Sequence, residues 1–243
     1  MNVQRDLEFG HADRRQIYDY VERNGASRFE DLESALRLDP RGIRHHVAIL
    51  RRDGYLTVED GVIQVAFDDT VAEEHRDGDV EFVVRPARQA DLTGLVGAIR
   101  QVASEGAYIE AESVADVIDH EEVLLRHNDL EERMFFVATV GDDVVGWVHV
   151  AGPELEKLAH TAELTVGVIE TYRTHGIGSH LLERGLEWAA AHDYEKIYNS
   201  VPASNQDAIE FLKANGWEVE ATRADHYQLD DQYVDEVMMA VRL

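Results

Sequence analysis

Tyr172 to Val201 reads YRTHGIGSHLLERGLEWAAAHDYEKIYNSV. It follows an apolar stretch, Thr161 to Val168, in which Leu164, Val166 and Val168 share one face of a predicted strand. Arg173-Thr174-His175-Gly176-Ile177-Gly178-Ser179 leads from that strand into a helix carrying Leu181, Leu182, Leu186 and Trp188. The two glycines allow a tight turn whose backbone N–H groups converge at the start of the helix, where anionic oxygens are favoured. Arg173 would add charge beside that nest. The stretch suits a pyrophosphate-bearing ligand, although an ordinary tight turn from strand to helix would use the same glycines. There is no GxGxxG and no βαβ alternation with an early acidic partner, so NAD binding is not expected.

Outward from this stretch, the pattern from residue 80 is mixed α and β. Val80 to Arg85 reads as a strand, Asp91 to Val102 and Ser113 to Arg126 as helices. Met134 to Val140 and Val144 to Val150 read as strands around Gly141-Asp142-Asp143, a hairpin turn.

Arg-x-x-Gly-x-Gly after LTVGVIETY closely resembles motif A of the Gcn5-related N-acetyltransferases, the GNAT family. Val201 to Trp217, VPASNQDAIEFLKANGW, resembles that family's second motif, in which an Asn opens a helix. RPARQADLTGL resembles its first strand and helix, and HYQLDDQYVDEVMMAVRL its closing strands. The resemblance spans roughly 80–243 and implies a central mixed, splayed β-sheet flanked by helices.

The resemblance further implies transfer of acetyl from acetyl-CoA to an amine, either a small molecule or a protein lysine or α-amine. Val166, Gly167 and Val168 would pair with the pantetheine arm as an added strand. Arg173, Thr174, His175, Gly176, Ile177, Gly178 and Ser179 would hold the pyrophosphate, and Asn205 the pantetheine or thiol end. Two catalytic residues common among relatives do not carry over. The Tyr seven residues after the Asn is Leu212 here, and the Glu five residues before it is Ser200. Glu163 is the substitute by position for a base, while Tyr198 and Tyr227 are candidate acids. Tyr108 and Glu110, between the first two helices of this part, are acceptor-contact candidates.

The first 66 residues follow a different pattern. A helix is expected over about 13–24, a short second one from Phe29, Leu32, Leu36 and Leu38, and a third after Asp39-Pro40 with Ile43, Val47 and Leu50 as its stripe. Two strands around Glu59-Asp60-Gly61 complete a hairpin. That order resembles the winged helix-turn-helix domains of prokaryotic regulators. The expected organisation is a winged helix over 1–67, an acidic linker over 68–79 and a GNAT domain over 80–243. If the winged helix binds DNA, Arg41, Arg44, His45 and Arg51 of its third helix are the candidate contacts. A DNA-binding regulator that senses acetyl-CoA or an amine is the competing function.

Charge divides the chain in the same way. The 243 residues carry 49 Asp+Glu against 23 Lys+Arg, a net charge of -26. Residues 1–66 hold 10 Arg and 12 acidic residues, so -24 of the total lies beyond them. Only Lys157, Lys196 and Lys213 are lysines. Charge of this density repels itself in dilute salt and is screened at molar salt, so the composition resembles that of extreme halophiles. Without cysteine, thiolate zinc sites, disulfides and a cysteine nucleophile are excluded. The 12 His form no HExxH or HxH signature, and no metal is expected. With no long apolar run, a cytoplasmic protein without membrane contact is expected, alone or as a homodimer.

Overall fold

The computed structural model describes residues 9–66, 72–105, 109–128, 132–153, 155–229 and 231–243. The amino-terminal unit runs α1 (Ala12–Asn24), β1 (Ser27–Arg28), α2 (Phe29–Ala35), α3 (Pro40–Arg52), β2 (Leu56–Glu59) and β3 (Val62–Val65), with the three strands ordered β1-β3-β2. Local chemistry sets the helix ends. Asp39 accepts from the Gly42 N–H at 3.1 Å with Pro40 in the first turn of α3, and Gly25, at φ 66°, stops α1. Ile43, Val47 and Leu50 of α3 are buried against Ile17, Tyr18 and Val21 of α1.

The second unit is built on one sheet whose strands lie in the order β11-β12-β10-β9-β8-β7-β5-β4. They are β4 (Glu73–Asp77), β5 (Val80–Pro86), β7 (Glu132–Val140), β8 (Asp143–Gly152), β9 (Thr161–Val168), β10 (Lys196–Pro202), β11 (Glu218–Leu229) and β12 (Gln232–Arg242), with the short β6 (Arg126–His127) beside β7. Helices α4 (Leu92–Ala103) and α5 (Ile109–Glu121) cover one face, while α6 (Ile177–Ala191) and α7 (Gln206–Ala214) cover the other. Both faces of β7 and β8 are therefore dry, which is why Met134 to Ala138 form an unbroken apolar run. The β9/β10 pair is parallel, and the other described pairs are antiparallel.

Two expectations need correction. Residues 68–79 are not a plain linker: 67–71 lie outside the described residues, and Glu73–Asp77 is strand β4, paired with β5 across the Gly78 turn. The second helix of this unit also begins and ends earlier than Ser113 to Arg126. It spans Ile109–Glu121 and stops where Glu122 takes φ 56°.

The two units touch through α1. The Tyr18 hydroxyl donates to the His127 carbonyl at 2.8 Å, and Asn128 Nδ2 donates to Glu22 Oε1 at 2.8 Å. Arg126 lies 3.7 Å from Glu22 and 3.1 Å from Glu121. Glu22 is thus a buried carboxylate held by partners from the other unit.

Candidate active site

Strand β9 carries the geometry of the site. Its edge toward β8 is paired from Glu163 through Val168. Toward β10 the register runs only Thr161↔Lys196, Ala162↔Ile197 and Glu163↔Tyr198, after which the strands part. Asn199, buried on β10, donates from Nδ2 to the Leu164 carbonyl at the point of parting. Beyond that bridge, one backbone edge of Thr165 to Val168 faces a cavity of 440 Å³. Gly167 is small for a reason: a Cβ there would lie within 2.5 Å of Trp147 Cζ2, and Trp147 is fully buried.

The mouth of the cavity is the turn before α6. Gly176 caps the helix at φ 73° and Thr174 sits at φ 67°, so successive backbone N–H groups converge at the helix start. Arg173, Thr174, Gly176, Gly178 and Ser179 line the cavity. Arg173 is fixed by Glu105 Oε1 at 2.6 Å and by the Val168 carbonyl at 2.9 Å. The side chains of His175 and Ile177, grouped with the loop in the sequence, do not line the cavity. His175 lies 3.2 Å from Asp77 of β4, and Ile177 is core.

The far wall is α7 and the end of β10. Asn205 caps α7, accepting from the Ala208 N–H at 3.1 Å, and lines the cavity with Asp207, Phe211 and Leu212. Thr165, Asn199 and Ser200 also line it, together with Ile109 and Ala111 of α5. The sequence did not mark Thr165 or Asn199 as site residues. A polar Asn inside the alternating strand KIYNSVP was the available signal for Asn199.

Glu163 is not among the lining residues. It lies half-buried at the closed end of the fork, opposite Tyr198, on the sheet face shared with Thr165 and Gly167. Burial and then the Glu163 charge raise the Tyr198 phenol above its ordinary pKa. Tyr227, on β11, is not among the lining residues either. Tyr108 lies outside the described residues, and Glu110 falls in the first turn of α5 with its side chain not described.

Behind Thr165, across the strand pair, sits His149. Its ring stacks on Phe135 at 4.5 Å and neither ring nitrogen has a hydrogen-bond partner. Burial, reinforced by the Arg133 charge, pushes its pKa down to about 3. His149 is therefore neutral in the folded chain but protonated in the unfolded chain below about pH 6.5, so stability falls with pH by about 1.4 kcal/mol per unit between those limits. A His149→Leu protein should gain roughly 3–5 °C in Tm over the parent at pH 5.5, relative to their difference at pH 7.5. Melts at the two pH values check this, and an unchanged difference would remove His149 from the acid limb.

Comparison with known proteins adds the following. Residues 99–217 match the model of the acetyltransferase (GNAT) family. The L-amino acid N-acetyltransferase AaaT of Escherichia coli K12 is 27% identical over 167 residues, covering 66% of this chain and 97% of that protein. The structure of yncA from Salmonella typhimurium with its cofactor acetyl-CoA superposes with a TM-score of 0.56 at 16% identity, over 67% of this chain and 94% of that one. The ribosomal-protein-alanine N-acetyltransferase of Brucella melitensis superposes at 0.53 and 23% identity, over 66% and 99%.

Proposed function

We propose that the acetyl-CoA-dependent acyltransferase carried by this chain's GNAT domain acetylates the primary amine of a small molecule, with the α-amine of an amino acid as the first class to test. The likeness to AaaT over nearly all of that protein's length supports the acceptor class. The fork between β9 and β10, opening onto the α6 turn, supports the donor. Acetyl-CoA suits the residues present: the free edge of Thr165 to Val168 offers strand-like pairing to a pantetheine arm, and the turn at Thr174 to Ser179 offers N–H groups to a pyrophosphate.

In this reading Glu163 accepts a proton from the acceptor ammonium, directly or through water, which frees the nitrogen lone pair. Attack forms the N–C bond and breaks the C–S bond of the thioester, and the departing sulfur takes a proton. Leu212 has none to give. Tyr198, kept protonated by its surroundings at the closed end of the fork, is the phenol proposed for that step. A backbone N–H on the open edge of β9 would hold the carbonyl oxygen as charge develops on it. Thiol release from acetyl-CoA across a panel of amino acids, polyamines and lysine peptides in molar KCl tests the assignment. Turnover with peptides alone would move the acceptor class to proteins, and acetyl-CoA binding without turnover would favour a sensor.

For the amino-terminal unit the proposed identity is a winged helix. The observation in its favour is that Arg41, Arg44, His45 and Arg51 are all exposed on α3 while the apolar stripe of that helix is buried. Arg44 lies 3.4 Å from Glu33, and the hairpin tip carries Glu59 and Asp60, so phosphate contact would rest on α3 rather than the tip. Gel shift of genomic fragments at high salt decides whether this face reads DNA.

A further inference from the structure

We propose that His11, Asp13 and His46 form a site for a divalent transition ion of the zinc class, clamping the start of α1 to α3 in the amino-terminal unit. One potential ligand atom from each residue falls within 4.8 Å of the others. Asp13 Oδ2 lies between the imidazoles, 3.7 Å from His11 Nδ1 and 3.6 Å from His46 Nε2. Those separations are too long for hydrogen bonds. They are close to the edge of a zinc tetrahedron, about 3.4 Å for bonds of about 2.1 Å. Two imidazoles and a carboxylate are the donor set that a borderline ion prefers, and three protein ligands leave a fourth position for water.

Folding brings the three together from separate elements. His11 is the cap residue of α1, and Asp13 is in the first turn of that helix. His46 reaches the pair from α3, its ring stacked on that of His11 at 4.8 Å. His46 is desolvated without compensation: its Nδ1 is buried and has no hydrogen-bond partner. An ion at Nε2 would fix the tautomer of that ring, with its proton on Nδ1. His11 Nδ1 now accepts the Asp13 N–H at 3.1 Å. An ion there would take over that lone pair at an exposed helix start, where water can serve the freed N–H. His45, although adjacent in sequence, is exposed and takes no part.

The ion would tie together the two helices that pack as the core of this unit, one of which also carries the exposed basic face. Its expected effect is a stiffer amino-terminal unit, independent of acetyl transfer.

The test is titration of Zn2+ into the chelator-stripped full-length chain by calorimetry, with Co2+ substitution as the spectroscopic readout. One ion per chain is expected, with visible d–d bands of a low-coordinate Co2+ site and a metal-dependent rise in Tm. His11→Ser keeps a cap acceptor at the helix start but removes the imidazole. It should melt like the metal-free parent, while its Zn2+ affinity falls by at least about tenfold. His46→Gln should lose affinity to a similar degree. Absence of stoichiometric Zn2+ binding by the parent overturns the proposal. So does binding that survives unchanged in both variants, which would place the ion on other histidines.

Discussion

A Gly178→Asp protein is expected to bind acetyl-CoA roughly a hundredfold to a thousandfold more weakly than the parent, with its fold intact. Gly178 is the second residue of α6 and lines the cavity mouth. A Cβ there would make only ordinary contacts, 3.5 Å to Phe211 and 3.7 Å to Val168. An Asp in the first turn of a helix is favoured by the helix dipole, so the substitution should not cost stability. Its carboxylate would take the N–H groups that a pyrophosphate needs and would repel the phosphate charge. Two unit charges about 4 Å apart interact by about 4 kcal/mol at the effective dielectric of a protein surface, which is nearly three decades in affinity. Acetyl-CoA calorimetry checks the loss, and near-ultraviolet dichroism checks the fold. Affinity within a factor of about three of the parent would mean that the turn does not hold the donor's phosphates.

The second large effect is on turnover. Glu163→Gln should lower kcat about a hundredfold near neutral pH while leaving acetyl-CoA affinity unchanged, because a general base is worth about 10²–10⁴ in rate. The loss should shrink as pH rises toward the pKa of the acceptor, since the free amine then no longer needs the carboxylate. That recovery separates a base from a residue that merely supports the strand, for which the deficit would be the same at every pH. Glu163 has partners of its own within the structure, so the Tm of the variant belongs in the same experiment. A flat deficit accompanied by a fallen Tm would assign Glu163 to packing.

What the sequence disclosed about the site was its local part. The α6 turn could be read because strand, glycines and helix lie next to one another in the chain, whereas Asn205 was named through the resemblance of Val201 to Trp217 to the GNAT family's second motif. The fork could not be read this way. Its closed end is a parallel pairing between Glu163 and Tyr198, two segments separated by a whole helix, and no periodicity within either reports where the pairing stops. Thr165, which matters only through that stop, was invisible for the same reason, and Asn199 showed only as a polar residue in an alternating strand.

Other misses have equally physical causes. Glu73–Asp77 reads as linker because it is EEHRD, but an edge strand tolerates charge on both faces and gains protection from unwanted pairing by carrying it. Helix α5 ends at Glu122 in a left-handed conformation, a stop usually marked by Gly or Asn, so the sequence predicted a longer helix. The three residues of the proposed metal site lie on two helices and form no spacing motif.

Strand β4 bears on how such a chain was assembled. Asp77 meets His175 of the α6 turn, the His75 ring stacks on His180 at 3.8 Å, and Glu73 lies 3.6 Å from Arg184. The passage out of the first unit has thus become the outer rim of the second, laid along the helix whose start faces the cavity. The seam between the two units is not an interchangeable joint. A fusion partner grafted at residue 80 would inherit a catalytic sheet missing its border, whereas one grafted ahead of residue 72 would inherit it whole.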